Sequence, residues 1–139
     1  MQETGLLNRG LSRVISEQGH HDMLMVVDAG FAIPKDLDVV DLSLKKNIPT
    51  VLEVLDVLND HHSVEKLIMA HETKNISPTL FQNISQAFGE NIEVELLDHT
   101  ELKVRSREVK AVIRTGDFTA YANVILVSGA GDRWYLEKP

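Results

Sequence analysis

Six histidines and no cysteine set the chemical repertoire of this 139-residue chain. Histidine has an ordinary pKa near neutrality, so it can both give and take a proton. His20 has the most suggestive surroundings. It follows Gly19, a residue suited to the left-handed turn just past a helix end. It precedes the apolar run Met23–Val27 (MLMVV), which stops at Asp28. A carboxylate at the carboxyl end of a buried strand lies where open α/β sheets place their ligand crevices. The plainer role for Asp28 is to cap the backbone of its own turn, since a bare buried carboxylate is costly. Tyr121 and Asn123 flank Ala122 ahead of a second apolar run at 124–127. In extended chain their spacing sends both side chains to one face, a phenol beside an amide. That pair suits a polyhydroxylated ligand, or else a loop anchored by its own hydrogen bonds. His20 and Asp28 sit at opposite ends of one strand, so a shared site needs loops that fold back or a second subunit.

The other histidines point to less. Asp60-His61-His62 resembles a metal-phosphoesterase tripeptide but lacks companion motifs, and a solvated turn explains it. His71-Glu72 has no second histidine four residues after the first, as a zinc helix requires. His20-His21-Asp22 could begin a metal site, but adjacent residues of extended chain face opposite ways. No metal ligand set and no cofactor are expected. No nucleophilic triad, phosphate loop or dinucleotide fingerprint is present, because Gly116 and Gly129-Ala130-Gly131 lack the spacing and the helix.

These residues need a scaffold of helices alternating with apolar strands. Residues 8–18 carry Leu11, Val14 and Ile15 at helical spacing, with Asn8 or Ser12 as cap. Residues 38–44 read as a strand or a short helical turn. Residues 50–58 fit either period, and their β-branched content favours a strand. Residues 63–74 look helical, with Val64, Leu67, Ile68 and His71 on one face. Pro78 opens a further helix that Gly89 stops. Residues 92–97 alternate as a strand with one wet face; 99–108 form a surface helix or loop. Residues 109–115 and 124–127 read as strands. The expected fold is a three-layer α/β domain, with helices on both faces of a mostly parallel or mixed sheet.

Composition narrows the class. A formal charge of −7 and no basic run argue against nucleic acid as a partner. The apolar runs fall short of the roughly 18 residues a membrane span needs. The amino terminus lacks a signal-peptide pattern, and the absence of cysteine suits a reducing compartment. A soluble, cytoplasmic protein of one domain over 1–139 is expected.

Taken in order, LLN (6–8), GHxD (19–22), DAGxxIP (28–34), AVIRTG (111–116) and YANxIL (121–126) resemble the D-ribose pyranase family. The related L-fucose mutarotases share GHxD and the Asp-Ala turn. Gly30, Ile33-Pro34 and Ala122 lean toward the ribose enzymes. The resemblance implies interconversion of the β-pyranose and β-furanose forms of D-ribose, without metal or cofactor. It implies His20 as proton donor, with Asp28, His99, Tyr121, Ala122 and Asn123 binding the sugar and Lys103 close by. The nomination of His99 rests on the resemblance alone. It also implies a ring-shaped homodecamer of two pentamers, whose shared sites would bring His20 to Asp28. Two rival readings are an L-fucose or other sugar mutarotase and a sugar-binding accessory without turnover. A metal-dependent hydrolase is a third. The chain departs from the pattern after Gly129, where AGDRWYLEKP (130–139) forms a tail carrying the only tryptophan, Trp134.

Overall fold

Asn8 begins the first helix. Its side-chain oxygen accepts the Leu11 N–H at 2.8 Å, satisfying one of the donors that a helix start leaves open. In the computed structural model, which describes residues 1–139, helix α1 spans Arg9–Ser16 and buries Leu11 and Val14. The residue in the left-handed conformation after it is His21 (φ 72°), not Gly19. The Gly19 N–H instead donates to the Asp22 carboxylate at 2.7 Å, so a side chain closes this turn. Strand β1 (Met23–Val27) follows, then β2 (Asp38–Asp41).

Residues 50–58 fold as a helix, contrary to the strand expected from their β-branched content. Thr50 and Glu53 form a reciprocal capping box at the start of α2 (Val51–His61). Val51, Val54, Leu55 and Leu58 then share one buried stripe, so capping and burial outweigh intrinsic preference. The reverse holds for 63–74. Val64–Ala70 is strand β3, and only His71–Ile76 is helical, as α3. β3 is apolar on both faces because it is covered on both, and this imitates helical spacing. Next come α4 (Pro78–Gln86), β4 (Glu93–Leu97) and α5 (His99–Arg105). A 3-10 turn over Ser106–Glu108 leads to β5 (Ala111–Arg114) and β6 (Val124–Ser128).

The strands form one six-stranded mixed sheet in the order β2-β5-β1-β6-β3-β4. β6 runs antiparallel to both β1 and β3, while the remaining pairs are parallel. α1, α2 and α4 cover one face, packing on Leu24, Val26, Leu67, Ile113 and Leu126. The other face, with Met25, Ile68, Val112 and Ile125, is covered by Leu102 of α5 and by Phe31, Ile33 and Leu37 of the β1–β2 loop. This is the three-layer α/β arrangement expected. No helix is long and apolar enough to cross a membrane.

Strand direction sorts the chemistry-bearing residues into two groups. The carboxyl ends of β1, β3, β4 and β5 and the amino end of β6 lie at one end of the sheet. The segments entering β1 and β3 and leaving β6 lie at the other.

Candidate functional site

Asp28 follows β1, and both its backbone and its side chain are engaged. Its N–H donates to Asn123 Oδ1 at 2.9 Å, while its Oδ1 accepts the Gly30 N–H at 2.9 Å. The turn-capping role therefore holds, yet it leaves Oδ2 free at the surface of the sheet end. Asn123 is buried. Because its oxygen is taken by Asp28, its amide nitrogen remains as the donor available to a ligand. Ala122 beside it is fully buried core, so it contributes backbone and packing rather than a side-chain contact.

Tyr121 is not in extended chain. Its φ is 60°, which removes the period-two basis for pairing it with Asn123. The turn is held by Thr73 Oγ1, which donates to the Tyr121 carbonyl at 2.6 Å. The Tyr121 ring meets the His99 ring edge-on, with centroids 5.0 Å apart, and Phe31 lies on His99 at 6.4 Å. The His99 N–H donates to Glu72 Oε2 at 2.8 Å, and its buried Nδ1 has no partner within the chain. Lys103, exposed and four residues further along α5, lies on the same helix face as His99. Asp28, His99, Tyr121 and Asn123 are thus gathered at one sheet end.

A hollow of about 360 Å³ opens beside them, lined by Asp28, Ala29, Gly30, Arg114 and residues 117–120. Arg114 fixes its wall: its Nη2 donates to the Ala29 carbonyl at 2.9 Å and its Nη1 to Asp41 Oδ2 at 3.1 Å. Asp117, buried, accepts from Val51 N–H at 2.9 Å and Thr119 N–H at 2.8 Å. Gly116 is required by the packing here, because a Cβ would come within 2.5 Å of the Lys45 carbonyl oxygen.

His20 stands at the opposite end. The five residues of β1 at about 3.3 Å each separate it from Asp28 by roughly 16 Å. It lies in a second hollow of about 400 Å³, shared with Gln18, His61, His62, Ser128 and Trp134. Its ring is 57% exposed, with Nε2 3.7 Å from Glu65 Oε2. Just beneath, the Gly19 N–H and then Lys110 hold the Asp22 carboxyl below the usual carboxylate range. Within one chain, His20 does not meet the other nominated residues.

The tail packs onto this second end. Arg133 Nη2 donates to the His62 carbonyl at 2.8 Å, and Trp134 Nε1 to Ser63 Oγ at 3.1 Å. His62 Nε2 lies 2.9 Å from Ser128 Oγ, which itself donates to Gln18 Oε1 at 3.0 Å. Burial, with a further push from Arg133, lowers the His62 pKa from its ordinary 6.5. The unfolded chain then binds the proton more readily. The resulting stabilisation is complete above about pH 6.5 and is lost as pH falls from there through the folded value. Denaturant titrations of wild type should weaken across that window, and His62→Gln should flatten the decline.

Glu72, Thr73, Arg114 and Asp117 are not among the residues that sequence patterns nominate for the site, although Glu72 is weighed beside His71 and Arg114 falls within the AVIRTG segment. Each acts through a partner at least 27 residues away in the chain, and no local spacing signals such a contact.

The model of the RbsD / FucU transport protein family matches residues 1–131. A relative named D-ribose pyranase, from Clostridium novyi, is 43% identical over 129 residues, covering 93% of this chain and 98% of the relative. Among solved structures, Bacillus subtilis RbsD complexed with D-ribose superposes with a TM-score of 0.88 at 37% identity, over 94% of this chain and 99% of that one. A fucose mutarotase from Streptococcus pneumoniae, in complex with L-fucose, gives 0.71 at 20% identity over 87% and 91%, a likeness of fold alone.

Proposed function

Because the chain belongs to the RbsD / FucU transport protein family, we infer that it is an isomerase, a D-ribose pyranase interconverting the β-pyranose and β-furanose forms of the sugar. The observation that carries this reading is the 43% identity to a D-ribose pyranase across nearly the full length of both chains.

The chemistry asks for little beyond positioned acid and base groups. In ring opening, the C1–O5 bond breaks, O5 gains a proton and the anomeric hydroxyl loses one, leaving the aldehyde. In ring closure O4 attacks C1 and gives up its proton, while the aldehyde oxygen takes one. His20 is the proton donor of this reading. Asp28 Oδ2 accepts from a sugar hydroxyl, the Asn123 amide and the Tyr121 phenol hold others, and His99 lines the ring face with its unpartnered nitrogen. Ala122 sets the backbone between Tyr121 and Asn123.

The separation of His20 from this cluster supports a site shared between subunits, in which His20 of one chain enters the sheet end of the next. Such a contact joins unlike surfaces, and repeated about an axis it closes a ring. A homodecamer of two pentameric rings is the assembly inferred, its count resting on the resemblance. In the cytoplasm, the furanose would pass to a kinase.

Saturation-transfer NMR on equilibrated D-ribose tests the function, with L-fucose run alongside. Faster pyranose–furanose exchange of ribose is expected. Acceleration confined to fucose would move the substrate, and binding of ribose without faster exchange would leave a non-catalytic sugar-binding protein.

A further inference from the structure

His20 and His21 lie in a turn rather than in extended chain. The positive φ of His21 swings its ring to 4.0 Å from that of His20. Extended geometry would have sent the two rings to opposite faces, and here they converge. Their common neighbour is Glu65, not Asp22, whose carboxylate is already held by the Gly19 N–H and Lys110. His21 Nε2 lies 2.9 Å from Glu65 Oε1, and His20 Nε2 3.7 Å from Glu65 Oε2.

Glu65 is aimed there by the backbone. Between Val64 and Lys66 the β3–β6 register shifts by one residue, so Glu65 is the extra residue of a bulge, a device that re-aims a side chain. Its carboxylate rests against Gly129, where a Cβ would come within 2.2 Å of Oε2. The His21 N–H donates to the Ser128 carbonyl at 2.7 Å, tying the turn to the same strand. Two imidazoles and a carboxylate, held by three adjacent backbone segments, thus offer one ligand atom each within 4.8 Å of one another.

We propose that His20, His21 and Glu65 form a binding site for a borderline transition-metal dication, Zn²⁺ above all. Ligands at about 2.0–2.1 Å around a tetrahedral zinc lie about 3.3 Å apart, between the two separations seen here. Two imidazole nitrogens select zinc, cobalt, nickel or copper over magnesium or calcium. Within the single chain the fourth position is open, because the His20 and His21 rings are 57% and 70% exposed there; in the proposed assembly it faces the sheet end of the neighbouring chain. A metal here occupies the Nε2 lone pair of His20. On the reading of His20 as the proton donor, occupation blocks turnover, so the site is inhibitory.

Zn²⁺ titrated into the full-length, assembled protein by calorimetry tests the site, with Co²⁺ absorption reporting ligand geometry. One metal per chain is expected. Changing a group outside a metal's ligand set already costs about 10–100-fold in affinity, so His21→Asn and Glu65→Gln should each cost at least about 100-fold. Asparagine tolerates the positive φ at 21, and glutamine is isosteric at 65, so both variants keep the turn. Zinc should suppress ribose exchange in wild type and spare the His21→Asn protein, whose metal-free exchange is unchanged. Absent or variant-insensitive binding would overturn the site. Stoichiometric binding lost in both variants, with exchange unaffected by zinc, would uphold the site and remove His20 from its role as acid.

Discussion

Replacing His20 with alanine is expected to cut the enzyme-dependent part of ribose ring exchange by about 10²–10⁴-fold, the usual contribution of a positioned general acid. The fold of the chain should be untouched, because the ring is more than half exposed within it and supports no core residue. Size-exclusion chromatography checks that the subunit junction His20 enters in the proposed assembly still forms. Sugar binding should persist, since Asp28, Tyr121 and Asn123 stand at the other end of the sheet. The same separation gives the substitution a second use. Co-expressed His20→Ala and Asp28→Asn chains, each inactive alone, should regain about a quarter of wild-type activity if sites form between unlike neighbours at random. One site in four would then combine an intact His20 with an intact Asp28. A mixture no more active than its components would place the whole site within one chain, and an active His20→Ala protein would dismiss His20 altogether.

Asp117→Ala is expected to cause the largest loss of stability among the residues around the site. This carboxylate is only 4% exposed and accepts two backbone N–H groups, from Val51 at the start of α2 and from Thr119. A carboxylate at a helix start also meets the positive end of the helix dipole. Alanine strands both donors in a buried setting. Hydrogen bonds to a charged group are worth about 1.5–3 kcal/mol each, so a loss of about 3–6 kcal/mol follows. For a chain of this size that lowers Tm by about 10–20 °C. Asp117→Asn retains an acceptor oxygen for one of the two donors and should fall between. Ribose binding should weaken as well, because the Asp117 carbonyl accepts the Ala29 N–H and so holds the turn after Asp28. A thermal shift below about 3 °C for alanine would mean that water reaches these amides and replaces the carboxylate.

How much of this was legible in the sequence depends on whether a residue's partner is local. α1 announced itself through Asn8 and the spacing of Leu11, Val14 and Ile15. β1 and β6 did so through short apolar runs with polar ends. The errors fell on 50–58 and 63–74, two apolar segments whose period is ambiguous because both are heavily buried. Thr50 and Glu53 carried the decisive local clue, a capping box three residues apart, and the β-branched Val51, Val54 and Val57 obscured it. β3 had no such clue, since a strand covered on both faces needs no alternation. In the site, Asp28 and Asn123 were visible as polar residues at strand ends. Their mutual bond across 95 residues was not, nor was the contact of Glu72 with His99. The separation of His20 from Asp28 was foreseeable, because it follows from the length of one strand.

The reversed direction of β6 has a geometric consequence for any ring built from this chain. Its first residue follows Asn123, and its last, Ser128, accepts the His21 N–H, so in the proposed assembly one strand would be the ruler between the sugar-binding half of one site and the acid-bearing half of the next. All five of its residues are buried, and it is laced on both sides to β1 and β3, which leaves it no slack. The pitch of successive sites in such a ring would therefore be written into a single register. A slip of one residue there would turn its side chains to the wrong face and misplace every junction around the circle at once.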